Sequence, residues 1–269
     1  MTAEEIAEFR RTILGWYEEH GRAFPWRDTT DPWAILVSEV MLQQTQTSRV
    51  VPKYRAWLER FPVPEALASS PLQEALRHWS GLGYNRRARN LWETAKIIAG
   101  KGFPRTAGAL RELPGIGPYT ASAVATFAFN SPEVFIETNI RSLFIFFFFP
   151  PDTHSAVPDR AILPLVEETL DRENPRIWYY ALMDYGAELK RKTPNPSRAS
   201  AGYARQGRFK GSMREARGAI LRALSLGGRA GLGAIGVREE IDYARLAKAA
   251  DLLVAEGFIK EEGGEFFID

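Results

Sequence analysis

No cysteine occurs among the 269 residues of the chain. That excludes disulfides, a thiolate nucleophile, zinc held by thiolates and an iron–sulfur cluster held by cysteines. Histidine is scarce as well: His20, His78 and His154 are scattered without ligand spacing, so no metal and no cofactor is expected. A strong excess of one charge is missing too. The formal net charge of +2 is too small by itself to name a nucleic-acid partner, although a pI of about 8.8 and local clusters of Arg lean that way. Long hydrophobic runs are absent; the most apolar stretch, 143–151, falls well short of the roughly 20 residues that span a bilayer. The first eight residues are acidic and polar, unlike a secretion signal. A monomeric cytoplasmic protein without a membrane partner is the expectation.

What is present is an ordinary globular composition, with 45% hydrophobic and 25% charged residues, enough for a real core. Most of the chain reads helical. Ile6, Phe9, Ile13, Leu14 and Tyr17 make a helical stripe over 3–19. Pro32 suits the first position of a second helix. Further helices are expected over 45–60, 71–79, 86–99, 106–113 and 118–129, separated by Pro- and Gly-rich turns, with a second helical block from about 139 to 189. The stretch 190–198, basic and broken by Pro194 and Pro196, reads as an exposed loop. From Ser212 the pattern is a helix (214–224), a Gly-rich link (227–236), a helix (243–256) and a two-strand hairpin ending at Ile268, a small winged-helix-like module. The Phe144 to Phe149 run reads as core or as an interface between modules, since consecutive aromatics on a helix point in all directions.

Four segments carry chemistry. The first is Ser38-Glu39-Val40-Met41-Leu42-Gln43-Gln44-Thr45, where Val37, Val40 and Met41 offer an apolar wall that would hold a carboxyl protonated. The second, Gly81-Leu82-Gly83-Tyr84-Asn85-Arg86-Arg87-Ala88-Arg89, joins an aromatic to three cations. The third is Leu113-Pro114-Gly115-Ile116-Gly117-Pro118-Tyr119, whose glycines allow close backbone approach and whose following helix N-terminus suits a phosphate. The fourth is Phe135-Ile136-Glu137-Thr138-Asn139-Ile140-Arg141. Each has a plainer reading: Glu39 as an exposed helix carboxylate, Gln43 and Gln44 as a polar helix face, Tyr84 as a core tyrosine, and Glu137 as a charge favouring the next helix.

Together the four segments resemble the helix-hairpin-helix (HhH-GPD) DNA glycosylase superfamily, most closely its MutY-type adenine glycosylases, over roughly 13–190. The resemblance implies an all-α, two-lobed core: a six-helix-barrel lobe at 22–134, a second lobe from 1–21 and 135–210, and the module at 211–269. It implies that double-stranded DNA with a mispaired or damaged base is the partner. It makes Glu39 the acid that protonates the leaving base and Glu137 the charge beside the sugar. Gln43, Gln44, Tyr84, Tyr119 and Asn139 would line the base pocket or face the opposite base. Gly115, Gly117, Arg86, Lys190 and Arg191 would contact phosphates, and Arg87 and Arg89 suit the same task, with at least one of the three arginines structural. Tyr119 stands where bifunctional relatives place a Schiff-base lysine, so a monofunctional glycosylase without AP lyase activity is implied.

Three departures qualify the match. Glu137-Thr138-Asn139 replaces the family's Asp-Gly-Asn, lengthening the carboxylate by one methylene. Lys190, Ser197, Ser200 and Gln206 fall at the spacing of the cluster-binding cysteines that most of the family has, so the cluster is lost. The tail from Ser212 is too short and helical to be the β-rich domain that recognises 8-oxoguanine. The expected function is therefore base excision, with adenine as the first target. Thymine, uracil or another damaged base comes next, and a non-catalytic lesion-binding protein is the alternative of a different class.

Overall fold

The computed structural model describes residues 1–149, 156–203 and 207–268, which are mostly helical. They pack as two compact units: Met1–Leu36 with Pro104–Glu112 and Ile116–Arg205, and Val37–Phe103 with Leu113–Gly115 and Gln206–Asp269. Among the described residues no helix is long and apolar enough to cross a membrane.

In chain order the helices begin with α1 (Ala3–His20), α2 (Pro32–Leu42), α3 (Thr47–Arg60), α4 (Pro64–Ala68), α5 (Leu72–Trp79), α6 (Arg86–Lys101), α7 (Ala107–Leu110) and α8 (Pro118–Phe129). They continue with α9 (Thr138–Phe148), α10 (Asp159–Thr169) and α11 (Pro175–Lys192). The C-terminal module follows as α12 (Met213–Gly227), β1 (Arg229–Ala230), α13 (Leu232–Glu239), α14 (Tyr243–Ala255), β2 (Lys260–Glu262) and β3 (Glu265–Phe267).

The first unit is built on aromatics. Phe9 of α1 lies 5.7 Å from Phe144 of α9 and 5.8 Å from Trp178 of α11, ring centre to ring centre. Each such buried side chain contributes about 2 kcal/mol. The Phe run is thus partly core: Phe144 is buried, while Phe146 and Phe147 keep exposed surface. Arg10 donates to the carbonyls of Thr169 and Leu170, which end α10. Asp184 of α11 is buried and takes bidentate bonds from Arg22 and Arg27, at 2.6–2.8 Å. Burial pushes its carboxyl up, but the two guanidinium groups outweigh that and hold it below the usual range.

In the second unit, Val50, Tyr54 and Trp57 of α3 and Leu72, Ala75, Leu76 and Trp79 of α5 are buried. Trp57 meets Trp79 edge-on at 5.5 Å. Helix α4 packs on α6, and α12 packs on α5, where Gln73 Nε2 donates to the Leu224 carbonyl at 3.1 Å. The three-stranded antiparallel sheet has the order β1-β3-β2, so helix, strand, two helices and a hairpin form a winged-helix-like module.

Two local expectations are corrected. The Gly-rich link contains a helix, α13, because Leu232 and Ile235 fall one turn apart and are both buried; tertiary burial overrides the low propensity of glycine. The basic run does not begin in a loop: Lys190, Arg191 and Lys192 form the last turn of α11, where cations favour the negative helix end. The loop follows, with a short 3₁₀ turn at Pro196–Ala199.

Gly186 of α11 fixes how closely α9 approaches. A Cβ at this position would collide with the backbone carbonyl of Asn139, and backbone cannot yield as a flexible side chain can. Gly186→Ala is expected to destabilise the protein by about 3 kcal/mol, a clash of the overpacking kind. A urea melt that left the midpoint unmoved would contradict this packing.

Candidate functional site

Glu39 lies on the last turns of α2, and only 6% of its surface is exposed. Its sequence neighbours Val37, Val40 and Met41 are also buried. The helix ends at Leu42. Gln43 and Gln44 therefore occupy the turn beyond it, not a helix face. Gln44 adopts φ +53°, a left-handed conformation uncommon for a non-Gly residue. Its main chain is held by local bonds, including Thr45 N–H to the Leu42 carbonyl at 3.1 Å.

Arg87 of α6 organises this end. One Nη donates to the carbonyls of Val40 (2.8 Å), Met41 (3.0 Å) and Gln43 (2.7 Å). The other donates to Leu82 O and Gly83 O, both at 3.1 Å, and to Thr45 Oγ1 at 3.2 Å. Val40 and Met41 carry two of the four carbonyls that any helix leaves unpaired at its C-terminus. Arg87 is 8% exposed. Burial draws its guanidinium down to about 10. The phosphate role suited to Arg87 is thus corrected: its donors face protein carbonyls. Arg89 is also turned inward, donating to the Glu256 carbonyl and lying 5.2 Å from the Phe258 ring.

The turn that Arg87 holds carries Tyr84, at φ +48° and 37% exposed. Both Arg87 and Arg214 place a guanidinium within cation–π range of its ring, at 5.5 and 5.4 Å. Arg86 keeps a side chain 66% exposed and pairs with Glu256 at 3.0 Å. Gly115 takes φ +73°, and a Cβ on it would collide with Asn90. Gly117 is the N-cap residue of α8 and Pro118 its first residue.

Glu137, Asn139, Tyr119, Lys190 and Arg191 belong to the other unit. Glu137 is the N-cap of α9. Its Oε1 accepts the amides of Asn139 (2.7 Å) and Ile140 (2.8 Å), and its Oε2 accepts Asn139 Nδ2 at 3.1 Å. These are the bonds of an N-cap side chain to the first free amides of its helix. Burial pushes this carboxyl above its ordinary range, opposed by the two amides and by the charges of Lys190 and Arg141. Lys190 Nζ donates to Thr138 Oγ1 at 3.2 Å, and burial lowers its ammonium below the usual value. Arg191 is exposed and pairs with Glu188 at 2.7 Å, and Arg141 pairs with Asp159. Tyr119, half-buried on the first turn of α8, meets Phe135 edge-on at 5.6 Å. Phe135 stacks on Tyr179 at 3.9 Å, whose hydroxyl donates to Glu133 O and accepts from the Phe135 amide.

The residues at the cluster spacing do not fit an iron–sulfur cluster. Lys190 is bonded to Thr138. Ser197 Oγ donates to Asn195 Oδ1 at 2.7 Å, and Ser200 Oγ accepts the Gly202 amide at 3.2 Å. Gln206 lies outside the described residues, as does His154. An amine and two engaged hydroxyls offer no thiolate. The loop is held instead by backbone: Val157 N–H donates to Ala199 O at 2.8 Å, and Ala201 N–H to Val157 O at 2.9 Å.

Three comparisons bear on this arrangement. Residues 37–196 match the model of the HhH-GPD superfamily base excision DNA repair protein family. The chain is 36% identical over 192 residues to an adenine DNA glycosylase of Buchnera aphidicola, covering 70% of this chain and 54% of that protein. It is 47% identical over 133 residues to an adenine DNA glycosylase of Mycolicibacterium smegmatis, covering 48% and 45%, and 35% identical over 198 residues to that of Homo sapiens, covering 69% and 36%. The chain thus spans about half or less of these relatives' length. Among solved structures, a thermostable thymine-DNA glycosylase superposes with a TM-score of 0.60 at 27% identity, over 68% of this chain and 87% of that one. An endonuclease III–DNA complex, at 20% identity and a TM-score of 0.56 over 68% and 85%, shares the fold. The chain belongs to the HhH-GPD superfamily of base excision DNA repair proteins.

Arg87→Lys keeps the charge but offers three donors on one point in place of a planar fork. It is expected to destabilise the fold by about 2 kcal/mol or more, since several buried carbonyls lose their donor. Equal denaturation midpoints for the variant and the parent would show that Arg87 does not hold these two turns.

Proposed function

We propose that this member of the superfamily is a monofunctional DNA glycosylase that hydrolyses the N-glycosidic bond of adenine flipped from a mispair in duplex DNA. The observation that carries the proposal is the burial of Glu39 on α2 immediately before the Gln43-Gln44 turn, in a chain whose matched relatives are adenine DNA glycosylases. The Glu39 carboxyl gives its proton to the base as the C1′–N bond breaks and the bonding electrons leave with the base. Glu137, held at the positive end of α9, carries the negative charge that offsets the developing oxocarbenium-like sugar. Water adds to C1′ and loses a proton, leaving an abasic sugar.

Gln43 and Gln44 bring amides that can bond the base left without a partner. Tyr84 stands as the wedge beside that base. Gly115, Gly117, Arg86, Lys190 and Arg191 serve as phosphate contacts, with Arg86 and Arg191 leaving their carboxylates to do so. Tyr119 has no amine, so strand cleavage through a Schiff base is not expected. A second reading, excision of thymine from a mismatch, is favoured by the superposition on a thymine-DNA glycosylase and by an aromatic at Tyr119.

The test is base release from duplexes bearing adenine opposite guanine or 8-oxoguanine, and thymine or uracil opposite guanine, with and without hot alkali. Adenine release that needs alkali to break the strand is the expected outcome. Release of thymine alone would replace adenine with the second reading, and cleavage without alkali would remove the monofunctional assignment.

Glu39→Gln and Glu137→Gln should each slow single-turnover release by roughly 10²-fold or more. The ionised Glu137 is the active form, so the rate should fall as pH drops through its raised pKa, placing the acid limb above the ordinary value of 4.5. Lys190→Gln removes a cation that opposes this rise and should move the limb to still higher pH. Folding runs the other way. A carboxyl with a raised folded pKa contributes stability below its unfolded value and loses it as pH climbs through the folded one. Glu137→Gln should therefore melt higher than the parent at pH 7.5 while losing activity. A variant that is less stable and fully active would overturn both roles.

A further inference from the structure

Helix α12 carries three arginines, and they are not used alike. Arg217 makes a bidentate pair with Glu256, at 2.8 and 2.7 Å. Arg222 pairs with Glu239. Arg214 alone has neutral partners among the described residues. Its Nη1 donates to the Tyr84 hydroxyl at 2.7 Å and its Nη2 to the Gly207 carbonyl at 2.8 Å. Its guanidinium also lies 5.4 Å from the Tyr84 ring. Among the described residues these bonds engage two of its five donors, and its charge meets no carboxylate there. Tyr84 itself is 37% exposed on a backbone held at φ +48°, and such strained residues cluster at ligand contacts.

We propose that Arg214, delivered by the C-terminal module, reads the base opposite the excised one and selects guanine. Its role rests on the reading of Tyr84 as the residue beside that base. A guanidinium donating to O6 and N7 of guanine is the commonest specific side-chain contact to a base, and it discriminates by about 1–3 kcal/mol. The Tyr84 hydroxyl keeps the planar fork in place, so less side-chain entropy is lost when the base arrives. The winged-helix-like module is then part of the specificity apparatus, although it lacks the fold of an 8-oxoguanine recognition domain.

The test is binding, which needs no catalysis. Fluorescence anisotropy would compare duplexes that hold a tetrahydrofuran abasic analogue opposite guanine or opposite 7-deazaguanine, which lacks the N7 acceptor. The intact protein should favour guanine by about tenfold. Arg214→Gln should bring that ratio to near one, and Arg214→Lys should recover part of it. Tyr84→Phe, a smaller change that removes only the hydroxyl, should lower the ratio and serves where Arg214→Gln does not fold. A ratio near one for the intact protein would overturn the proposal. So would an Arg214→Gln variant that weakens both duplexes alike and lowers the salt slope by about one, the mark of a phosphate contact. A tenfold ratio without adenine release would defeat the glycosylase reading and leave Arg214 as the reader; adenine release with no ratio would do the reverse.

Discussion

The buried guanidinium of Arg87 is the constraint on which the Glu39 and Tyr84 turns depend. A helix that must stop beside a binding turn exposes carbonyls that cannot be left dry and unpaired. Here α2 stops at Leu42, and Arg87 reaches from the first turn of α6 to take the carbonyls of Val40, Met41 and Gln43. The same fork takes Leu82 O and Gly83 O. One side chain thereby ties the turn with Gln44 to the turn with Tyr84, and both of these residues adopt positive φ. The charge needs no carboxylate partner, because the negative end of α2 lies against it. Glu39 sits on the last turns of the same helix, so the stop that Arg87 enforces also fixes where that carboxyl lies.

The other carboxylate is placed by a different device. Glu137 is an N-cap, so its position follows from where α9 begins, and the Asn139 backbone in that first turn packs closely on Gly186. The same bonds that aim the carboxylate also hydrate it in protein: two amides and an amide side chain replace water. They do not fully offset burial, and the carboxyl remains above its usual range. Lys190, at one of the cluster-cysteine spacings, supplies a cation to Glu137 through space and a bond to Thr138. In this chain the segment that would have carried a cluster instead contributes a charge that acts on the carboxylate.

Much of this was legible in sequence, for local reasons. Pro32 and Pro118 marked helix starts because a proline at the first helical position loses no bond, and both helices begin there. Hydrophobic spacing gave α1 and the winged-helix-like order because one face must be buried. What was not legible depended on distant partners. Leu232 and Ile235 make a helix of a Gly-rich stretch only because the module buries them. Arg87 looked like its neighbours Arg86 and Arg89, and only the end of α2 distinguishes it. Arg214 carried no local signal, since its partner Tyr84 lies 130 residues away.

Those arginines also change how the chain's charge should be understood. The cluster at 86–89 reads in sequence as a phosphate surface, yet its cations largely serve the fold. Arg87 binds carbonyls, and Arg89 binds the Glu256 carbonyl. Arg86 shares the Glu256 carboxylate with Arg217, and that carboxyl is held down to about 2 by Arg217 first and Arg86 second, against its partial burial. Under the proposed role, a phosphate would compete with Glu256 for Arg86. On that reading the module's Glu256 tempers nonspecific attraction to DNA in the unit where Arg214 also lies. An ion-paired Arg86 and an Arg214 with no carboxylate among the described residues then fit the proposed reading, in which the opposite base is distinguished by base contact more than by adhesion to backbone.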